Sequence, residues 1–118
     1  MKAIFVNGDE YPFPELLVTG FKTAETRNKR MLSALVGESD VAIVETSKKH
    51  KPMIIGYVDV TEERYCKIDD VRDKVLIPKG SKFDAEYKWC YFVKNAIRVK
   101  PYPLPEDAVR HGRSWCEF

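Results

Sequence analysis

Residues 19–29, "TGFKTAETRNK", bring an ammonium, a carboxylate, a guanidinium and three threonine hydroxyls together with almost nothing apolar. A lysine beside a carboxylate in a partly dry cleft is shifted toward a general base, and a neighbouring hydroxyl then supplies a nucleophile. Lys22, Glu25 and Thr23 hold those groups as catalytic candidates. The same residues suit binding: Lys22 and Arg27 match phosphate or a polar base edge, and Glu25 accepts a ligand N–H. The plain alternative is a surface ion pair between Glu25 and Arg27, worth about 0.2–1 kcal/mol.

The elements on either side must aim these groups. "PFPELLVTG" reads as a short helix, with prolines at its entry, Phe13, Leu16 and Leu17 on one face, and Gly20 as a left-handed stop just past its end. Lys22 then falls beyond the helix C-terminus, where the negative end of the helix dipole favours a cation. Threonines at 23 and 26 and the lack of a helical apolar face predict an extended segment. In a strand, Thr23, Glu25 and Arg27 share one face, and Lys22, Ala24 and Thr26 the other.

Around this segment "KAIFV" predicts a first strand that ends at the turn "NGDE". "VAIVE" (41–45) and "MIIGYVDV" (53–60) predict two strands, and Gly56 marks a bulge, a bend or a close backbone approach. Ile68, Val71 and Val75 predict a helix over 67–77. "KWCYFVKNAIRVKPYPLP" supplies one long or two shorter strands, and "RSWCEF" a last one. Short strands with two modest helices and no long βαβ crossovers give an α+β fold on a small, curved or closed sheet, as a single domain over residues 1–118.

Composition narrows the function. With 44% hydrophobic and 32% charged residues, the 118-residue chain has material for one core. No apolar run approaches the roughly 20 residues of a membrane-spanning helix, and the first residues carry no signal-peptide core, so the expected location is cytoplasmic. Cys66, Cys90 and Cys116 are odd in number and widely spaced, and the two histidines add no ligand spacing; neither a disulfide framework, a metal site nor a cofactor fingerprint is predicted. At a net charge of +2, any polyanion binding depends on local patches. Lys22, Arg27, Lys29 and Arg30 form one such patch, and Lys48, Lys49, His50 and Lys51 a second, in a loop. Among the aromatics, Trp89, Tyr91 and Phe92 read as core, while Tyr65, Tyr87, Tyr102 and Trp115 have polar neighbours and are the better base-stacking candidates.

Gly20, Lys22, Glu25 and Arg27 spell G-x-K-x-x-E-x-R directly after a short helix. This resembles the signature of the ASCH domain, a PUA-like family. "MIIGYVDV" is similar to the family's glycine-containing central strand, and "WCYFVKNAIRVKPYPLP" to its late strand running into a proline-rich turn, so the resemblance spans the whole chain. It implies a small mixed β-barrel of about five to six strands flanked by two or more short helices. It also implies a cleft for RNA or a nucleotide-like ligand, lined by Gly20, Lys22, Glu25 and Arg27; from the two basic patches, Lys29, Arg30, Lys48 and Lys49 are further candidate contacts.

Relatives that resemble amidohydrolases of acylated nucleosides use the motif lysine with a threonine two or three positions on. Here Ala24 and Glu25 hold those places, a departure at the nucleophile. Others resemble metal-independent ribonucleases that need a lysine and a serine or tyrosine hydroxyl; Ser114 and His111 qualify only if the C-terminal strand returns to the cleft. Two alternatives to a binding domain therefore stand: a metal-independent hydrolase using Lys22, and a regulatory module whose 48–51 loop contacts a protein partner.

Overall fold

A computed structural model describes residues 1–118. In chain order the elements are β1 (Lys2–Asn7), α1 (Phe13–Val18), β2 (Ala24–Arg27), β3 (Val41–Thr46), β4 (Met53–Lys67), α2 (Arg72–Val75), β5 (Tyr87–Pro103), β6 (Val109–His111) and β7 (Trp115–Glu117). All seven strands join one mixed sheet in the order β2-β5-β4-β3-β1-β7-β6. β1 and β3 run parallel, and every other pair is antiparallel.

β1 and β3 are buried on both faces, which is why "AIFV" and "VAIV" read as continuous apolar runs. Ile4 and Val6 enter a core of 21 residues with Leu17, Val41, Ile43 and Tyr91, while Ala3 and Phe5 enter a smaller one with Val44, Ile54 and Cys116. β4 and β5, of 15 and 17 residues, form a long ribbon whose register shifts at three places. Such irregularities add twist and bend the sheet.

The α+β class holds, but the barrel implied by the resemblance is corrected: seven strands form an open sheet with β2 and β6 at its edges. The bend brings β2 round to face β1 without a backbone ladder between them. Instead the Arg27 guanidinium donates from Nη2 to the Phe5 carbonyl at 2.7 Å. A side chain spans the seam where hydrogen-bonded strands would have closed it.

Two further expectations change. β4 continues past Val60 to Lys67, because its polar residues pair with β5 and expose their charges, Glu62 bridging Arg64 at 2.7 Å. The helix expected over 67–77 shrinks to a 3₁₀ turn at Ile68–Asp70 and one α turn at Arg72–Val75. Leu76 then takes a left-handed conformation (φ 53°), and Pro78 disfavours helix at the residue before it. β6, three exposed residues in a charged segment, carried no apolar signal.

Gly56 answers its expectation directly. The β4–β5 register slips between Ile54 and Gly56, and a Cβ at this position would collide with the Ile97 carbonyl of β5 and the Val18 side chain of α1. The missing side chain lets α1 lie against the ribbon and so sets where the chain leaves α1 toward β2. Gly56→Ala is expected to cost about 1–3 kcal/mol, read as a lowered urea midpoint at unchanged slope. An unchanged midpoint would show that helix and ribbon can move apart freely.

Candidate functional site

The segment after α1 is fixed by its backbone. Gly20 takes the left-handed conformation at φ 83° and donates to the Leu17 carbonyl at 3.3 Å, and the Lys22 N–H returns to Leu16 at 2.9 Å. Thr23 donates to the Lys74 carbonyl at 2.9 Å and accepts from the Val93 N–H at 3.0 Å, pinning the chain between α2 and β5. Only at Ala24 does β2 begin, so strand alternation does not govern Lys22. Its side chain therefore meets Glu25, the neighbour that alternation had placed on the opposite face.

Lys22 is buried (1% exposed), with its Nζ 3.7 Å from Glu25 Oε1 and 4.7 Å from the Phe13 ring centre. Nζ donates to the Val75 carbonyl, so the helix end it satisfies belongs to α2 and not to α1. Glu25, also buried, accepts Arg27 Nη1 on Oε2 at 2.7 Å and the Thr26 N–H on Oε1 at 3.1 Å. Arg27 adds donations to the carbonyls of Thr26 (2.8 Å) and Phe5 (2.7 Å).

These residues line a cleft of about 460 Å³ between β2 and β1. Lys88, a buried lysine of β5 (6% exposed), enters it and donates to the Phe83 carbonyl at 2.9 Å. The turn between β6 and β7 contributes Gly112 and Arg113, and β6 contributes its middle residue Arg110, held 4.7 Å over the Phe5 ring. Lys22, Arg27, Lys88, Arg110 and Arg113 thus face a single carboxylate, Glu25. Phe13 and Phe83, packed edge to face, supply an apolar wall, and Asn7, Asn28, Thr26 and Thr46 supply neutral polar groups.

Burial pushes the Lys22 ammonium below the ordinary lysine value, with Glu25 pulling the other way and Lys88 and Arg27 adding to the shift. Lys88 is lowered for the same first reason. Burial alone would raise the Glu25 carboxyl, but Arg27, Lys22 and two hydrogen bonds together hold it below the usual carboxylate range. Burial pushes the Cys90 thiol up to about 12, so it stays protonated rather than serving as a nucleophile. No three ligating side chains cluster as a metal site would require.

Among the residues singled out from the sequence, Lys22, Glu25 and Arg27 come together in the cleft. Gly20 shapes the approach but does not line it, and Thr23 is likewise outside; Thr26 is the motif threonine that lines it. Lys29 and Arg30 lie past the β2 edge, Arg30 paired with Glu63 at 2.8 Å. Lys48 and Lys49 line a neighbouring depression with Lys82, which shares Asn7 and Phe83 with the cleft. The C-terminal hairpin does return to the cleft. Ser114 nonetheless turns its hydroxyl to Met31, and His111 stacks on Trp115 at 4.0 Å; neither lines the cleft. Lys88, Arg110, Arg113 and Phe83 were missed. A signal existed for Lys88 alone, a lysine flanked by Tyr87 and Trp89 at the head of the otherwise apolar run that ends at Val93.

The fold is similar to that of a solved ASCH protein. ASCH from Zymomonas mobilis superposes with a TM-score of 0.61 at 14% identity, over 86% of this chain and 73% of that one. A serine-to-alanine variant of the same protein gives 0.60 at 14% identity, with the same coverage of both chains. A tyrosine-to-phenylalanine variant gives 0.59 at 13%, over 88% and 77%. No family model and no curated protein sequence matches the chain. No helix is long and apolar enough to cross a membrane.

Glu25 is the only anion among buried cations, so removing its charge should cost far more than removing that of Lys22. Glu25→Gln is expected to lose about 3 kcal/mol at pH 7, and Lys22→Met to stay within about 1 kcal/mol of the wild type. Because the Glu25 carboxyl is lowered in the fold, its contribution is complete above its unfolded value near about 4.3 and is lost as pH falls through the folded value. Denaturant titrations from pH 7 to pH 2 should show the wild type and Glu25→Gln converging in acid. Equal losses for both substitutions at pH 7 would make the cluster a brace for the sheet.

Proposed function

We propose that the chain is one ASCH domain of the PUA-like superfamily, over residues 1–118, and that its cleft binds RNA or a modified nucleotide through Lys22, Arg27, Lys88, Arg110 and Arg113. The observation that carries this reading is the charge of the cleft, five basic side chains against one carboxylate beside an apolar wall of Phe13 and Phe83. Phosphate matches the cations, and a base has both a face for the phenylalanines and polar edges for Asn7 and Asn28. Glu25 orients Arg27 and Lys22 in the cleft, and Lys88, Arg110 and Arg113 add positive charge beside them. Lys48 and Lys49 extend the positive surface toward a longer strand; their loop is fixed by Asp9, which accepts from Ser47 Oγ at 2.6 Å and from the Lys48 N–H at 3.0 Å. The protein-partner alternative would use the same loop. No cofactor enters the reading.

One observation favours a second reading, hydrolysis without a metal. Lys22 has a lowered pKa and shares the cleft with Thr26, so a base and a hydroxyl are both present where a ligand would lie. Thr26 then replaces Thr23 as the nucleophile candidate.

The test is titration of labelled single-stranded RNA and of adenosine monophosphate into the wild type and Lys22→Met at 50 and 200 mM salt, with the RNA sized afterwards. Binding should weaken as salt rises and fall at least tenfold in Lys22→Met. Shortened RNA, absent with Lys22→Met, would establish the hydrolytic reading. An affinity unchanged by the substitution would remove the ligand from this cleft.

A further inference from the structure

Beyond the cleft, the β4–β5 ribbon carries a row of aromatic rings in which Trp89 packs against the main core while Tyr65 and Tyr87 lie outside it. Tyr65 stacks on Tyr87 with centroids 5.5 Å apart and planes 18° apart, and it also meets Trp89 at 5.2 Å with the planes tilted by 46°. The Arg30 guanidinium lies 5.0 Å from the Trp89 ring centre, held there by Glu63 at 2.9 Å. The result is a column in the order Arg30, Trp89, Tyr65, Tyr87. Tyr65 is 57% exposed and Tyr87 45%, so both tyrosine rings are open to solvent.

Three observations link the column to a nucleic acid rather than to ribbon stability. The first is register: Arg27 of the cleft lies opposite Trp89, and Trp89 lies opposite Tyr65, so one line across three strands leads from the cleft to the column. At about 4.8 Å between strands, that line is about 10 Å long. The second is charge: Lys29 precedes Arg30, and Lys67 lies opposite Tyr87, so exposed cations flank both ends. The third is availability. Of the other rings with polar neighbours, Tyr102 shares a hydrogen bond with Tyr57 and Trp115 is covered by His111, leaving the column and the isolated Phe21 as the open aromatic surfaces.

We infer that this column is a stacking platform for single-stranded RNA, on which bases next to the one held in the cleft extend the stack past Tyr87. The inference rests on the proposed function, and it names the ligand as a strand rather than a free nucleotide. Every base presents a π face, so the platform adds affinity with little sequence preference. Lys29 and Lys67 then meet the phosphates that leave the cleft.

Adenosine monophosphate and a labelled six-nucleotide adenine RNA, each titrated into wild type, Tyr65→Ala/Tyr87→Ala and Tyr65→Phe/Tyr87→Phe, separate this inference from the cleft itself. Both tyrosines are exposed, so thermal unfolding should confirm that all three proteins fold alike. The hexamer is expected to bind at least tenfold more tightly than the monophosphate, to lose about tenfold or more in the alanine pair, and to recover in the phenylalanine pair. Monophosphate binding should be the same in all three. If the monophosphate binds and the hexamer gains nothing over it, or the alanine pair binds the hexamer like wild type, the platform is overturned while the cleft stands. If neither ligand binds the wild type, the proposed function and this inference fail together.

Discussion

Glu25 carries a negative charge into a place water scarcely reaches, and the surrounding structure is arranged to make that tolerable. A buried carboxylate without partners would take up a proton. Here it keeps its charge because Arg27 grips one oxygen while Lys22 and the Thr26 N–H approach the other. Each partner is in turn fixed to a different element: Lys22 to the end of α2, Arg27 to the backbone of β1, and β2 itself to β5. Four separate elements are thus tied through one carboxylate.

This explains why the sheet remains open. Were β2 to hydrogen-bond with β1 along its length, the seam would hold no cleft and Arg27 no carbonyl to reach. One guanidinium bond at 2.7 Å spans the gap electrostatically and leaves the cleft open beside it. The end of α2 contributes as well: Val75 lies in its last turn, so its carbonyl has no partner within the helix and is free to accept Lys22.

What the sequence made legible was local. The β1, α1 and β3 segments announce themselves by apolar pattern, Gly20 by its position after a helix, and Gly56 by interrupting a strand. Glu25 and Arg27 could be paired from alternation, because both lie within β2. What could not be read was whatever depends on elements distant in the chain. The approach of Lys22 to Val75 spans 53 residues, and the Arg27 bond to Phe5 spans 22. Arg110 and Arg113 reach the cleft only because β7 pairs with β1. The barrel failed for the same reason, since closure is decided by a seam between strands that share no local signal.

The cluster is also poorly explained by stability. Buried charges are commonly replaceable by apolar residues of similar volume without loss, because desolvation offsets most of their attraction. A leucine or methionine at 22 and an apolar partner at 25 would close this end of the sheet at least as well. Lys88 sharpens the point: it is a second buried lysine, lowered like Lys22, and no carboxylate lies within ion-pair distance of it. Two desolvated ammonium groups and three arginines around one carboxylate leave an excess of positive charge inside the cleft. A fold selected only for stability would not gather that excess, whereas an anion entering the cleft would neutralise it.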